Sequence, residues 1–273
     1  MKKIVLLLSL CSFVFFSCKH EPHEKKSDMK KEMAGKKDDA MKSKDMMKKI
    51  KISPFSKSPE FTDASIKSMT YKGGKFNFDI GGSSYKLGSQ TDDAATKMCA
   101  NSGKGQHIHL IMDNGPYAAK YTSEFDHKVS DGEHYLLAFL SRSYHESIKT
   151  KAAYTAKKIE VKDNSITAEK NVTTPMMFYS RPKGTYVGKK ATDRVMLDFY
   201  MVNAELGRNY KVKADINGTT HMIDTWQPYF IDGLPMGENE VKLTLLDGAG
   251  KIADVPLNPV SRKFTLKADP TEK

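Results

Sequence analysis

The chain has 273 residues, a net charge of +11 and three cysteines. The charge is unevenly distributed, because residues 19–57 contain thirteen lysines against seven carboxylates and therefore carry +6 of it. Lys2 and Lys3 add two more, so residues 58–273 carry only +3. A globular part with so little net charge excludes a nucleic-acid-binding face, and we expect no nucleic acid among the partners.

The N-terminus has the pattern of an export signal. An apolar stretch of about 13 residues follows Lys2 and Lys3, whereas a membrane-spanning helix needs about 20. The stretch ends at Cys18 in a Phe-Phe-Ser-Cys sequence that resembles a lipobox, in which the cysteine receives a diacylglycerol. We therefore predict a signal peptide over residues 1–17, lipidation of Cys18, and attachment to the membrane through that lipid. The location is then the cell envelope, with the outer membrane favoured because Lys19 rather than Asp follows; the alternative is an ordinary secretory signal.

Residues 18–57 are predicted to form a disordered stalk. They are rich in lysine and methionine and poor in aromatic residues, so they cannot bury enough apolar surface to offset chain entropy. Five methionine thioethers leave capture of copper(I) open as an alternative to a plain tether. They belong to Met29, Met33, Met41, Met46 and Met47.

From residue 65 the pattern is that of an all-β protein. Short stretches rich in Val, Ile, Tyr, Phe and Thr are separated by Gly, Pro, Asn and Asp, and no stretch has a helical period. The predicted strands are 65–71, 75–80, 107–112, 134–140, 157–161, 176–179, 195–202, 210–216, 221–225, 240–246 and 263–266.

A weak internal repeat with an offset near 105 residues indicates two copies of one fold. Alternating apolar residues after Gly132-Glu133 correspond to those after Gly237-Glu238, which predicts that one face of each strand is in the core. An Asn-Gly pair (114–115 and 217–218) precedes each of these strands and suits a tight hairpin with positive φ. We predict two immunoglobulin-like β-sandwich domains in tandem, over residues 58–165 and 166–273.

Four segments, 105–117, 136–147, 178–184 and 226–239, resemble those of tandem Ig-like-domain lipoproteins common in flavobacteria. The resemblance covers most of residues 60–267. Members of that family have no established activity and sometimes carry the label phosphopeptide-binding protein. The resemblance therefore implies a fold and a location rather than a chemistry.

The sharpest candidate for chemistry is the His107-Ile108-His109 segment. Strand alternation places both imidazoles on one face, where a third ligand could complete a copper or zinc site. The candidate partners are Met98, Cys99, His134 and His145. The second copy has Lys213 and Asp215 in the corresponding strand, so such a site belongs to the first domain alone. The alternative is that the two histidines only hydrogen-bond neighbouring loops.

A loop after the fourth long strand supplies a second set of candidates. Arg142, Tyr144 and His145, with Arg181, could line a cleft for an acidic glycan or a peptide. A Ser-His-Glu sequence in this loop does not make a hydrolase, because a triad requires geometry rather than adjacency. We predict a non-enzymatic binding or scaffold protein for a glycan or another protein, without a cofactor. The alternative is an envelope copper- or zinc-handling protein that uses His107 and His109.

Overall fold

The computed structural model describes residues 50–272; the predicted signal peptide, Cys18 and the methionine-rich part of the stalk lie outside them. The described residues confirm the all-β prediction. They contain one short α-helix, α1 (Lys189–Thr192), and two single-turn 3-10 helices (Ala94–Thr96 and Lys151–Ala153). None of these helices has the length and hydropathy of a membrane span. The strands are β1 (Lys51–Pro54), β2 (Ser65–Lys72), β3 (Lys75–Gly81), β4 (His107–Met112), β5 (Ala118–Lys120), β6 (Glu124–Asp126), β7 (Gly132–Ser141), β8 (Tyr154–Lys162), β9 (Ser165–Asn171), β10 (Met176–Arg181), β11 (Gly184–Val187), β12 (Arg194–Val202), β13 (Tyr210–Ile216), β14 (Thr219–Ile223), β15 (Tyr229–Asp232), β16 (Gly237–Asp247) and β17 (Val260–Lys267).

The first β-sandwich consists of a three-stranded sheet, β2-β3-β6, and a five-stranded sheet, β5-β4-β7-β8-β9. Its core lies between the two sheets, where Phe76 and Phe78 pack with Leu110 and Leu136. Successive side chains of a strand point to opposite faces. Leu110 and Ile108 of β4 therefore face this core, and the residues between them face the other way.

The second β-sandwich pairs a four-stranded sheet, β1-β15-β12-β10, with a five-stranded sheet, β11-β17-β16-β13-β14. Leu197 and Phe199 from the first of these sheets meet Val212, Leu243 and Phe264 from the second. All five side chains are buried. Each sandwich therefore has a hydrophobic core of its own.

The two sandwiches are fused through a third hydrophobic cluster. Ile111 and Phe139, on the outer face of the first sandwich's larger sheet, contact Phe178 and Tyr200 from the four-stranded sheet of the second. Phe139 and Tyr200 stack with ring centroids 5.0 Å apart. The central strands of both facing sheets are consequently buried on both sides. This explains why β7 carries an unbroken apolar run from Leu136 to Leu140 instead of the predicted one-sided burial.

A polar link accompanies this apolar contact. The side chain of Asn114, just after β4, donates to the carbonyl of Met177 at 2.9 Å and accepts from the amide of Tyr179 at 2.7 Å. Asp113 and Asn114 adopt positive φ, whereas the sequence pattern predicts positive φ at Asn114 and Gly115. The turn therefore lies one residue earlier than expected, and it points the amide of Asn114 at β10.

Two of the predicted boundaries are corrected by the strand pairing. The predicted stalk extends to residue 57, but β1 pairs with β15 and Ile50 is buried in the second core. The predicted boundary between the sandwiches at residue 165 falls inside β9, which pairs with β8. The first sandwich therefore ends with Asn171, and the chain joins the second sandwich before it enters the first.

The two five-stranded sheets share one strand order. β5-β4-β7-β8 in the first corresponds to β14-β13-β16-β17 in the second. The repeat aligns Leu140 with Leu245, and their partners across the sheet are Ile108 and Val212. Strand β13 is thus the counterpart of β4.

This register identifies the counterparts of the two histidines. His107 corresponds to Lys211 and His109 corresponds to Lys213. The pairing predicted from the sequence, with Lys213 and Asp215, is wrong by two residues.

Candidate functional site

His107 and His109 lie on the face of β4 that the second sandwich covers. Both side chains are 0% exposed. They share this face with Ile111, whose side chain packs in the cluster between the sandwiches. The predicted placement of both imidazoles on one strand face is therefore what the structure has.

The third member of the group is His145, in the loop that follows β7. The loop is a tight turn closed by two backbone hydrogen bonds. The amide of His145 donates to the carbonyl of Arg142 at 2.8 Å, and the amide of Arg142 donates to the carbonyl of Glu146 at 2.9 Å. His145 has φ of +70°, a left-handed conformation that costs a non-glycine residue about 1–2 kcal/mol. Strained residues of this kind concentrate at functional sites.

The three imidazoles converge on one point. His107 Nε2 lies 2.9 Å from His109 Nε2 and 2.9 Å from His145 Nδ1. One ring nitrogen from each of the three histidines lies within 4.8 Å of the others. A tetrahedral ion with metal–nitrogen distances of about 2.0–2.1 Å spreads its ligands to roughly 3.3 Å. The two pairs at 2.9 Å need to separate by a few tenths of an ångström to hold such an ion, and the nitrogens of His109 and His145, which lie within 4.8 Å of each other, need to adjust to the same spacing.

Neighbouring groups fix the outer nitrogens of two of these rings. His107 Nδ1 lies 2.7 Å from the carbonyl of Gly105, so it carries the proton and leaves the Nε2 lone pair facing the cluster. Gly105 has φ of +83°, and a Cβ there would lie 2.4 Å from the carbonyl oxygen of Gly88, so no other residue fits. His109 Nδ1 lies 3.2 Å from the hydroxyl of Ser180, which sits at a bulge in β10. Metal-binding histidines characteristically have such outer partners.

Hydrogen bonding alone does not satisfy the cluster. His107 Nε2 has a single lone pair, yet two ring nitrogens lie at hydrogen-bonding distance from it. Only one of them can donate to it, so the other contact brings a second nitrogen close to the same lone pair without a bond. A cation at the centre would bind all three lone pairs and remove this conflict.

The three imidazoles are neutral at pH 7. Burial lowers the pKa of His107 to about 4 and the pKa values of His109 and His145 well below the usual 6.5. The positive charges of Arg181 and Lys183 lower all three pKa values further. Neutral imidazole is the form that binds a metal ion.

Tyr117 connects this cluster to the cationic residues of the second sandwich. Its ring stacks on His109 with centroids 3.6 Å apart and an angle of 7°. Its hydroxyl lies 3.2 Å from His145 Nδ1 and accepts hydrogen bonds from Arg181 Nε and Nη2 at 3.1 and 3.0 Å. Burial raises the pKa of this phenol to about 12, with the charge of Arg181 opposing the shift. Nothing in the spacing of the sequence singles out Tyr117, because its role depends on a residue 64 positions away.

The structure does not bring the other predicted metal ligands to the histidines. Met98 is 56% exposed. Cys99 is buried with Phe55 and Tyr144 in a separate cluster, and burial raises the pKa of its thiol to about 11. His134 forms an ion pair with Asp113 at 2.6 Å. Among residues 50–272 the potential metal-binding group therefore consists of His107, His109 and His145.

The predicted ligand-binding residues are divided between two environments. Arg181 and His145 contact Tyr117 in the histidine site, whereas Tyr144 packs in a separate cluster. Arg142, Tyr144 and Arg181 are all buried, so they do not line an open cleft. Arg142 donates to the carbonyl of Pro59 and pairs with Glu146 at 3.5 Å. Tyr144 is buried because Phe55, the residue after β1, packs against its ring with centroids 6.0 Å apart. Arg142 and Tyr144 stabilise the loop that presents His145.

Comparisons with known proteins find similarity at the level of β-sandwich modules. No protein-family model and no curated protein matches the chain. Similar solved structures include the fibronectin(III)-like modules of Clostridium thermocellum CbhA, with 14% identity over 34% of this chain and 98% of that one, at a TM-score of 0.28. An ice-binding adhesin of an Antarctic bacterium has 11% identity over 81% of this chain and 49% of its own, with a TM-score of 0.22. The Bacteroides ovatus mixed-linkage glucan protein SGBP-B has 9% identity over 80% and 70%, with a TM-score of 0.21.

Proposed function

We propose that this protein binds a transition-metal ion through His107, His109 and His145. The observation that carries the proposal is the convergence of three neutral imidazole nitrogens, two pairs of them 2.9 Å apart, in a buried position. Burying three imidazoles whose ring nitrogens cannot all be satisfied by hydrogen bonds to one another costs free energy that the fold does not require. A metal ion bonded to all three compensates that cost.

The donor set favours a borderline divalent ion. Imidazole suits zinc and copper, and three protein ligands with an open fourth position are typical of reactive rather than purely structural zinc sites. No thiolate joins the group within residues 50–272, which disfavours copper(I) at this position. We infer that the site holds zinc or copper(II).

The export signal and Cys18 extend this proposal to a location. A lipid on Cys18 would anchor the protein in the cell envelope, at the outer membrane, where a metal-binding module would meet external metal ions. The methionines of the stalk would form a second, softer site for copper(I). Lipidation and the outer-membrane location remain predictions from the N-terminal sequence.

The proposal is tested by calorimetric titration of the purified protein with zinc and copper(II). We expect one ion per chain with a sub-micromolar Kd, and a loss of at least about 100-fold on His109→Ala, since removing one of three ligands leaves a weak site. The matched control is His221→Ala, which removes a histidine of the second sandwich. Equal affinity for zinc and for copper(II) in the wild type and in His109→Ala would contradict the proposal.

A glycan- or protein-binding scaffold without enzymatic activity is the second candidate, and one cleft favours it. The cleft has a volume of about 440 Å³ and is lined by Lys149, Tyr154, Asn203 and Trp226 among others. Because Trp226 is the single tryptophan of the chain, its fluorescence reports directly on this cleft. Quenching by soluble oligosaccharides that Trp226→Phe abolishes would support a sugar site there. An unchanged spectrum with glucose- and mannose-based oligosaccharides would count against it.

A further inference from the structure

Lys183 lies in the turn between β10 and β11, close to two other cationic side chains that no carboxylate balances. These neighbours are Arg181 and Arg262, which are 6% and 8% exposed. None of the three cations takes part in an ion pair within residues 50–272. Buried charges are normally paired, so this group of uncompensated positive charges is unusual.

The two guanidinium groups have hydrogen-bond acceptors, whereas the amine of Lys183 has none within the described part of the chain. Arg181 donates to the Tyr117 hydroxyl at 3.1 and 3.0 Å, and Arg262 donates to two backbone carbonyls at 3.1 and 2.6 Å. Lys183 Nζ lies 4.0 Å from the centroid of the Tyr117 ring. The backbone amide of Lys183 donates to the Tyr186 hydroxyl at 3.2 Å. The residue is therefore held in place while its amine has no acceptor for its protons.

The Tyr117 ring separates this amine from the histidine cluster. His109 stacks on one face of the ring with centroids 3.6 Å apart, and Lys183 lies over the other face. Lys183 is half-buried, whereas His109 is fully buried, so a small molecule in solution reaches Lys183 without entering the cluster. Chemistry at Lys183 therefore does not require a metal ion.

The surroundings of Lys183 favour the neutral amine over the ammonium ion. Burial lowers the pKa of Lys183, and the positive charges of Arg181 and Arg262 lower it further. The Tyr117 ring attracts the ammonium, but such a contact contributes only about 0.5–1 kcal/mol at a partly exposed site. A neutral amine is a nucleophile, and lysines activated by desolvation or by a neighbouring cation form imines with carbonyl compounds.

We propose that Lys183 is a reactive amine that binds small aldehydes covalently as imines. Its nitrogen attacks the carbonyl carbon and forms the C–N bond. The carbonyl oxygen then leaves as water, together with the two protons of the neutral amine. No oxidant, reductant or further reactant is needed for this step. The reaction is separate from the proposed metal binding and does not depend on it.

Competitive labelling of the purified protein tests this proposal. Limiting formaldehyde with cyanoborohydride converts each imine into a stable methylamine, and mass spectrometry of the digested protein measures the labelled fraction at Lys183 and at Lys190. Lys190 is the internal reference, because it is exposed on α1. At pH 7 we expect Lys183 to be labelled at least about fivefold faster than Lys190. The ratio of the two rates should fall toward pH 10, where ordinary lysines become neutral as well.

The controls show whether the fold creates this reactivity. In concentrated urea the two lysines should be labelled at equal rates. Arg262→Gln removes one of the neighbouring charges and should lower the ratio, whereas Lys263→Gln removes a charge from an exposed position of β17 and should not. Labelling of Lys183 that is equal to or slower than that of Lys190 in the folded wild type would overturn the proposal. A ratio that urea leaves unchanged would overturn it as well.

Discussion

Strands β4 and β13 occupy the same position in the two five-stranded sheets, yet their outer faces differ completely. On β4 that face carries His107 and His109 and is covered by the other sandwich. On β13 it carries Lys211 and Lys213 and faces solvent, where Lys213 pairs with Asp215 at 3.1 Å. The second copy folds without a histidine at either position. The fold therefore does not require the imidazoles of β4, and their burial points to a function.

The same comparison shows why the site lies where it does. Covering the outer face of β4 with β10 and β12 removes water from it, which makes every electrostatic interaction there stronger. It also brings Ser180 and Arg181 of β10 against residues of the first sandwich. A site of this kind could not form on the outer face of β13, because nothing in the described part of the chain covers that face.

The largest expected effect comes from opening the contact that creates this difference. Phe139→Ala removes a fully buried ring that contacts both Tyr200 and His109, and should lower the free energy of unfolding by about 3–5 kcal/mol. The matched control is Phe125→Ala, which removes a half-buried ring in β6 and should lower the free energy of unfolding by less than about 2 kcal/mol. Urea denaturation measures both. Equal costs would mean that the sandwiches do not depend on this interface.

Exchanging the residues of the two strands tests the comparison directly. His109→Lys places an unpaired ammonium in a buried position and should cost about 3 kcal/mol or more. Lys213→His, the reverse change on the exposed strand, should alter stability by no more than about 0.5 kcal/mol. Urea denaturation measures the change in the free energy of unfolding for both variants, and the change should be several times larger for His109→Lys. Similar effects at both positions would show that the two faces are equally exposed.

Metal binding should stabilise the protein through β4 and not through β13. Zinc at 100 times its Kd should raise the free energy of unfolding by about 2.7 kcal/mol, because the ion binds only the folded state. The gain should vanish in His109→Ala and persist in Lys213→Ala. Thermal denaturation with and without zinc provides the measurement, and a gain that persists in His109→Ala would place the ion elsewhere.

The smallest effect is expected at the hydroxyl that joins Tyr117 to Arg181. Tyr117→Phe removes the acceptor of two hydrogen bonds from a buried guanidinium, at a cost of about 1–3 kcal/mol. Tyr135→Phe, at a half-buried ring outside the cluster, should change stability by about 0.5 kcal/mol or less. Chemical denaturation measures the free energy of unfolding of both variants. Equal values would show that Arg181 donates to another acceptor when the Tyr117 hydroxyl is removed.

Much of this fold follows from period-two patterns, and much of the site does not. The alternation in 107–112 and 210–216 predicts β4 and β13 with their observed bounds, and the pair of histidines on one face with them. The short strands β1, β5, β6 and β15 carry too few residues for a pattern. The pattern does not predict the fusion of the two sandwiches, because a strand buried on both faces has no alternation, as in Leu136–Leu140.

The site residues divide in the same way. His145 was one of four candidates for the third ligand, and only the turn geometry selects it. Cys99 and Met98 are candidates because sulfur is a soft metal ligand. This property gives no information about where a side chain points in the fold. Tyr117 and Arg181 lie on different sandwiches, so their contact depends on tertiary packing that no local pattern encodes.

The most direct test of the central claim is anomalous diffraction from crystals of the zinc-loaded protein, recorded at the zinc absorption edge. We expect one strong peak between β4 and the loop after β7, about 2.0–2.1 Å from ring nitrogens of His107, His109 and His145. No peak at that position in crystals whose zinc content is one ion per chain would contradict the account.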